Sequence, residues 1–436
     1  MDNPDRREFI KQTSLGVAGA ATASFANRVH GAVENSEIRV GLIGCGGRGP
    51  QAAEDFNAQP GVRVTHVCDV DKRRLASAAD RLNIPDSRSV GDMRQIFDDP
   101  KVEAVYIATP DHWHAPAGIL ACDAGKHVYV EKSCSHNLRE GRLFVEAARR
   151  NNRVVQHGTQ VRSTQMHIEA IKLLHEGIIG DVLVCKAWNV QRRGSIGHQQ
   201  PTTPPPELDY ENWVGPAPME DYQQNCVSGW HWRYNYGTGG IGNDGIHDIE
   251  YARWGLGVKT HPTTISAVGG KYFFDDDQQF PDTHQVSFEY PGVGTPGSPR
   301  LLIYEQRLWS TNLPSVYNCD SGVEYYGTEG RMFLSRRGKI QILGERNQRK
   351  DIDIETASQD TKAHVADFVN AIREDRRPNA DIEIGHLTSS LCHLGNLSAR
   401  LGRSIKFDPQ AEQVIGDEGA NQQLGREYRD HWATPI

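Results

Sequence analysis

The sequence predicts an α/β N-terminal half built on a doubly wound, mostly parallel sheet, followed by an α+β half whose strands are separated by turns. Three observations carry that expectation. A strand-like run from Glu37 to Ile43 enters the glycine loop Gly44-Cys45-Gly46-Gly47-Arg48-Gly49 and then the helical run Pro50 to Phe56. Strand-like and helical runs keep alternating to about residue 160, and from residue 181 onward strand-like runs follow one another between Gly, Pro and Asp. Alternation implies parallel strands joined by crossover helices, whereas successive strands with short turns imply antiparallel pairing.

Residues 1–36 read as an export signal and linker. A charged stretch, Asp5-Arg6-Arg7-Glu8-Phe9-Ile10-Lys11, precedes a weakly apolar run from Leu15 to Ala26, and small residues Ser24 and Ala26 stand before Asn27. The run is too short and too polar to span a bilayer, which takes roughly twenty apolar residues. Arg6 and Arg7 with the Phe and Lys behind them resemble the twin-arginine signal, which exports proteins already folded. Asp5 stands where that signal usually has Ser or Thr. The expectation is a periplasmic or otherwise exported protein with the twin-arginine machinery as a partner.

The glycine loop lies at a strand-to-helix turn, where Gly44, Gly46 and Gly49 let the backbone bend, admit a pyrophosphate and aim helix N-terminal amides at its charge. Gly47 and Arg48 belong to the same cradle. A second strand, Val62 to Cys68, ends at Asp69, at the spacing where a carboxylate meets a ribose 2'-hydroxyl. A carboxylate there repels a 2'-phosphate, so NAD is expected over NADP, with Lys72, Arg73 and Arg74 moderating the preference. Val102 to Ala108 is a third strand, ending in the loop Thr109-Pro110-Asp111-His112-Trp113-His114, and the helix Ala115 to Ala124 leads to strand His127 to Val130, followed by Glu131-Lys132-Ser133. Ligands of open parallel sheets bind at the carboxyl ends of strands, so Thr109, Pro110, His112, His114, Glu131 and Lys132 are placed beside the cofactor. A last strand, Arg153 to Gln156, ends in His157 to Arg162; Gln160 is assigned to the cofactor and Arg162 to the substrate. The dinucleotide-binding Rossmann domain spans 37–160.

Composition excludes several classes. The chain has 436 residues, a net charge of -8, 37% hydrophobic and 24% charged residues, enough to bury two cores. No later segment reaches membrane-span length, and the basic patch Arg373 to Arg377 is interrupted by Glu374 and Asp375, so neither a stable membrane span nor nucleic acid is expected. Eight scattered cysteines form no C-x-x-C and suit folding in a reducing cytoplasm before export. His112 and His114 lack a third ligand at metal spacing, so no metal is expected.

Glycine loop, Asp69, the Thr109 to His114 segment, the Glu131-Lys132 pair and the later Gly242-Asn243-Asp244-Gly245-Ile246-His247-Asp248 segment together resemble the Gfo/Idh/MocA oxidoreductases, over residues 37 to the C-terminus. The tail Gly416 to Asn421 resembles the bacterial, twin-arginine-exported branch. The resemblance implies a second domain on a large open, mainly antiparallel sheet whose face closes the nicotinamide crevice. Strand-like runs at 181–190, 263–272, 284–290, 300–309 and 322–343 support it independently. This domain spans 161–360, with an irregular, proline-rich insertion at 191–240 that ends in Trp230, Trp232, Tyr234 and Tyr236, candidates for stacking on a sugar ring. Residues 361–436, with helices at 361–375 and 385–401, brace both domains. The sheet's other face is a candidate homo-oligomer surface.

Hydride transfer at a carbinol carbon needs one group for the hydroxyl proton and another for the developing alkoxide charge. The resemblance gives these roles to His247 and Lys132, which also contact the substrate. The family aspartate four residues before the histidine is Asn243 here, a neutral group unable to share a proton. Asp244 is the candidate replacement, and Asp248 the candidate to fix the histidine. Ser133 replaces the usual proline, and a cis peptide is expected only with proline. Two enzymatic readings follow: an NAD-dependent oxidoreductase acting on a secondary alcohol of a sugar, cyclitol or sugar acid, or a redox-neutral glycoside-cleaving enzyme working through a transient 3-keto sugar. A non-catalytic sugar-binding protein retaining NAD is the third.

Overall fold

The computed structural model describes residues 37–293, 297–310 and 317–435, so the paired arginines and apolar run of the leader lie outside the described residues. The N-terminal half contains β1 (Ile38–Ile43), α1 (Arg48–Asn57), β2 (Val62–Cys68), α2 (Lys72–Leu82), β3 (Ser89–Val90), α3 (Arg94–Phe97), β4 (Ala104–Ile107), α4 (Asp111–Asp123), β5 (His127–Val130), α5 (Leu138–Arg150) and β6 (Val155–His157). Its six strands pair in parallel in the order β3-β2-β1-β4-β5-β6. The order reverses between β1 and β4, which puts a crevice at their carboxyl ends. Helices cover both faces, so β4 is buried at every position and its sequence reads as an unbroken apolar run.

The second half continues with α6 (Gln165–His175), β7 (Val182–Asn189), α7 (Tyr210–Val214), α8 (Gln224–Ser228), a π-helical turn (Ile241–Gly245) and α9 (Ile246–Gly255). Strands β8 (Thr264–Gly270), β9 (Thr283–Val293), β10 (Ser298–Arg307), β11 (Ser321–Gly327), β12 (Gly330–Ser335), β13 (Lys339–Gly344) and β14 (Arg349–Lys350) follow, then α10 (Thr361–Arg373), α11 (Ile382–Leu401), β15 (Ile405–Asp408), β16 (Gln413–Val414) and α12 (Glu418–Gln422). The sheet order is β14-β13-β12-β11-β7-β10-β9-β8-β15-β16. Pairing is antiparallel except for β7 with β10, where the chain leaves the sheet through the insertion and α9 before returning. Phe288, Tyr290, Leu302, Tyr304 and Tyr325 turn from this sheet into one buried core shared with α9 and α11.

Two helix starts differ from the sequence expectation. α4 begins at Asp111, so Asp111 to His114 form its first turn; Pro110 fixes the entry and the acidic residue suits the helix's positive end. α11 begins at Ile382, where Asp381 caps it by accepting a hydrogen bond from Glu383 N at 3.1 Å. The insertion is folded: Leu208, Trp213, Val214, Tyr222 and Tyr236 make a small core of their own. All eight cysteines are buried free thiols. Among the described residues no helix is long and apolar enough to cross a membrane.

Phe56 fixes α1 to the rest of the molecule. Its ring meets Tyr106 of β4, Tyr129 of β5 and Phe368 of α10 at centroid distances of 5.4, 5.7 and 6.1 Å, and it is fully buried. Phe56→Ala should therefore cost about 3–5 kcal/mol in urea denaturation. A loss under about 1 kcal/mol would show that α1 is held by other contacts.

Candidate functional site

The glycine loop divides its labour by position. Gly44 has φ +94°, and a Cβ there would lie 2.6 Å from the Ala108 carbonyl carbon; a Cβ at Gly49 would lie 2.0 Å from Gly44 O. Both glycines are required for β1, α1 and β4 to approach one another. At Gly47 a Cβ would meet nothing within 4 Å, and at Gly46 only Arg74 Nη1 at 3.5 Å. The space above these two is open. No side chain caps α1; Gly49 N donates to Gly46 O at 3.1 Å and Pro50 has no N–H, which leaves the Arg48 amide at the helix's positive end for a ligand.

The opening continues into a cleft of about 800 Å³ lined by Gly44, Gly46, Gly47, Arg48, Thr109 and Pro110, with Asp69 at its far side. The Asp69 carboxylate is oriented by two backbone amides, Cys45 N at 2.7 Å and Asp71 N at 2.8 Å, and burial raises its pKa. Each oxygen keeps a lone pair for a ribose hydroxyl. Arg73 pairs with Asp71 at 3.0 Å and, with Arg74, also lines the cleft. Open glycines, the positive end of α1 and a fixed carboxylate fit NAD.

Several residues assigned to the cofactor make structural contacts of their own around the cleft. His112 Nε2 lies 2.9 Å from Trp213 O, and His114 bonds the carbonyls of Ser133 at 2.5 Å and Thr109 at 2.8 Å, so both rings staple loops together. Glu131 pairs with Arg48 at 2.9 Å and accepts from Tyr106 Oη at 3.1 Å. Gln160 donates to Tyr129 Oη at 3.4 Å. Gly49 is buried under the turn.

A second cluster forms where the end of β5 meets the π-helical turn. Lys132 Nζ donates to Asn243 Oδ1 at 3.0 Å, and Ser133 Oγ donates to Gly242 O at 3.3 Å. The Lys132–Ser133 peptide is cis, contrary to the expectation for a residue other than proline. Gly242 and Gly245 allow the turn to sit this close: a Cβ at Gly242 would lie 3.1 Å from Ser133 Oγ, and one at Gly245 2.1 Å from Tyr304 Oη. His247 follows on the first turn of α9, buried, with Nδ1 unpartnered. Burial, then the cations Arg336 and Lys132, hold its pKa well below the ordinary value, so the ring is neutral. Burial also lowers the Lys132 pKa, opposed by Asp111 and Glu131.

Neither neighbouring aspartate serves His247. Asp244 is paired with Arg193 and lies 3.9 Å from Arg336. Asp248 accepts from Tyr251 Oη at 2.8 Å and Asn189 Nδ2 at 3.3 Å, lies 3.7 Å from Arg336, and is pushed up to about 6 by burial. Buried Arg336 faces both carboxylates, and half-buried Arg193 pairs with Asp244. Arg193, after β7, and Arg336, after β12, were not singled out in the sequence; the adjacent Arg336 and Arg337 at a strand end were the available signal. His231 was also missed. It is half-buried between Trp230 and Trp232, with its pKa lowered to about 3 by burial and then by Lys132 and Arg193.

The proposed substrate contacts separate. Arg162 is not at the cluster: it is buried in an ion pair with Glu250 at 2.5 Å, its guanidinium 4.5 Å from the Trp254 ring centroid. Trp232 is packing, buried at 3% exposure. Tyr234 lies against Phe280 at 4.5 Å and under Arg400. Trp230 lines the dinucleotide cleft. Elsewhere His261 and His386 both reach Glu412 Oε1 at 2.9 Å, and the Arg142 guanidinium on the same oxygen already supplies the positive charge.

Two outcomes test this geometry. Gly47→Ala should leave the thermal midpoint unchanged while weakening NAD binding about tenfold or more, whereas Gly49→Ala should lower the midpoint as well; equal effects on folding would contradict the division of labour. Asn243→Asp adds a negative charge beside Lys132 and near His247. A carboxylate favours imidazolium, so the acidic limb of kcat/KM should move upward by about 1 pH unit or more. An unmoved limb would remove His247 from the titration.

Comparisons with known proteins agree with the two-part fold. The family model described as an oxidoreductase family, NAD-binding Rossmann fold, matches residues 38–159, and that of its C-terminal alpha/beta domain matches 169–289 and 319–434. A glycosyl hydrolase family 109 protein of Saccharopolyspora erythraea is 31% identical over 208 residues, 42% of this chain and 45% of that protein. Levoglucosan dehydrogenase of Pseudarthrobacter phenanthrenivorans is 28% identical over 232 residues, 50% of this chain and 51% of the dehydrogenase. The aligned stretches thus span about half the length of these curated relatives. A solved structure of levoglucosan dehydrogenase in complex with NADH and L-sorbose has the same fold, with a TM-score of 0.66 at 21% identity over 85% of this chain and 99% of that one.

Proposed function

The chain belongs to the Gfo/Idh/MocA oxidoreductase family, and from that premise we propose that it oxidises or reduces a secondary alcohol of a sugar, cyclitol or sugar acid with tightly held NAD. The observation that carries this reading is the meeting of Lys132 with Asn243, one helical turn before His247, at the carboxyl end of β5. When bound, NAD supplies the hydride acceptor or donor. The neutral His247 is ready to take the hydroxyl proton. Lys132 presents a cation to the oxygen as negative charge develops on it. Its hydrogen-bond partner Asn243 is neutral, so that charge is not cancelled by the group orienting it.

Redox-neutral glycoside cleavage is the second reading, favoured by the family 109 relatives and by His231. Oxidation of a sugar at C3 acidifies the C2 proton, so elimination of the aglycone needs another base, and His231 is a second neutral imidazole near Lys132. Both readings accord with export through the twin-arginine route. Arg6 and Arg7 support that localisation, because a protein exported folded carries its cofactor enclosed.

The test is to add a panel of sugars, sugar acids and glycosides to the purified protein and record absorbance of the bound nicotinamide together with released product. A stable rise in NADH marks net oxidation. Product without net NADH marks the redox-neutral cycle, and no response to any compound leaves only sugar binding. Lys132→Ala and His247→Ala should each reduce turnover by about 10²–10⁴-fold with NAD still bound. Near-normal turnover in either would remove that residue from the chemistry.

A further inference from the structure

The dinucleotide cleft is walled by more than the parallel-sheet domain. The insertion of the second domain crosses to the segment that follows β2 and pairs with it: Leu208 bridges Asp71 in antiparallel fashion, Lys72 N donates to Glu207 O at 3.0 Å, and Asp209 N donates to Val70 O at 3.0 Å. This pairing starts one residue beyond Asp69, so the insertion runs beside the ribose position. Leu208, Trp213 and Trp230 line the cleft from that side.

The end of the chain then locks the insertion down. Arg429 Nη1 pairs with Glu211, Nη2 donates to Glu211 O at 2.7 Å and Nε to Gly215 O at 2.5 Å, while its backbone N donates to Pro216 O at 3.3 Å. Three residues on, Trp432 also lines the cleft. Its ring lies 5.6 Å from Trp113 of α4 and has the Arg94 guanidinium 4.4 Å from its centroid. Trp432 is therefore held between two elements of the parallel-sheet domain while Arg429 holds the insertion.

We propose that the insertion strand at 207–209 and the chain end at 429–432 form a clasp over the adenosine side of the cleft, which retains an adenine dinucleotide through many turnovers. The residues of the clasp fit that ligand: flat indole rings and an apolar leucine stand beside a fixed carboxylate and the positive end of α1. Release of the dinucleotide requires the clasp to open, which breaks the two backbone hydrogen bonds to Val70 and Lys72 or frees Trp432 from Trp113 and Arg94. The proposal rests on the reading that the cleft holds NAD.

The experiment uses the full chain purified with its endogenous dinucleotide, and measures both NAD content after gel filtration and exchange against fluorescent etheno-NAD. The native protein should keep its NAD. Arg429→Ala and Trp432→Ala should exchange about tenfold faster or more. Arg94→Ala, which leaves the tail sequence intact, should accelerate exchange in the same direction, so the test survives if a tail variant fails to fold. Native-like retention in all folded variants overturns the clasp while leaving NAD as the cofactor. A native protein that carries no NAD and binds no etheno-NAD overturns the reading of the cleft, whereas one that binds etheno-NAD but exchanges it rapidly overturns the clasp alone.

Discussion

The reactive cluster depends on α11, because Lys132 and His247 belong to different domains and this helix touches the segments that carry both. Ser389 Oγ accepts from Cys134 N at 3.2 Å, two residues beyond Lys132, and Ser135 Oγ lies 3.3 Å from His393 Nε2. On the other side Asn396 Nδ2 donates to Thr238 O at 2.9 Å, Cys392 Sγ approaches Ile241 O at 3.5 Å, and Thr388 Oγ1 bonds Glu250, one turn beyond His247. Small polar residues at these positions let two backbones approach while satisfying their polar groups. A larger or apolar set would leave buried amides and carbonyls unpaired at the place where the two catalytic segments meet.

The family and fold were legible because they rest on local rules. The strand, glycine loop and helix at 37–57 obey backbone sterics that operate within a few residues, and the runs in the second half alternate with turn residues. Lys132 and His247 were singled out through the family resemblance, and the structure brings the segments that carry them together at Asn243. What the sequence hid depends on contacts across long separations. Arg193 and Arg336 compete for Asp244 and Asp248 from strands distant in the chain, and Arg162 is taken by Glu250, 88 residues away. His112 and His114 sit in a strand-end motif beside the cofactor loop, yet α4 starts early enough to turn them inward. The insertion read as irregular because its order comes from pairing with the segment that follows β2 and from Arg429, neither of which leaves a periodic pattern.

The proposed clasp and the proposed export route would answer one physical problem. Outside the cytoplasm a dinucleotide that leaves its enzyme is diluted and is not reduced again. Slow release removes that loss only if each catalytic cycle restores the starting redox state on the protein. A second sugar that accepts the hydride does so, as does return of the hydride to the same sugar. Retention therefore narrows the chemistry without naming the substrate: a one-way dehydrogenation with a retained cofactor stops after one turnover.

The charges around His247 make the same demand on the proton. Two arginines engage Asp244 and Asp248, so the buried carboxylates are spent on cations and His247 has no acid beside it to receive a proton. Lys132 is hydrogen-bonded to a neutral amide, so the group that orients it carries no charge of its own. A proton accepted by His247 would place imidazolium near both Lys132 and Arg336, in a site from which water is largely removed, and like charges in that setting repel strongly. Such a state is short-lived unless the proton is returned within the cycle. A cofactor that is kept and a proton that is poorly tolerated both favour chemistry that gives back what it takes.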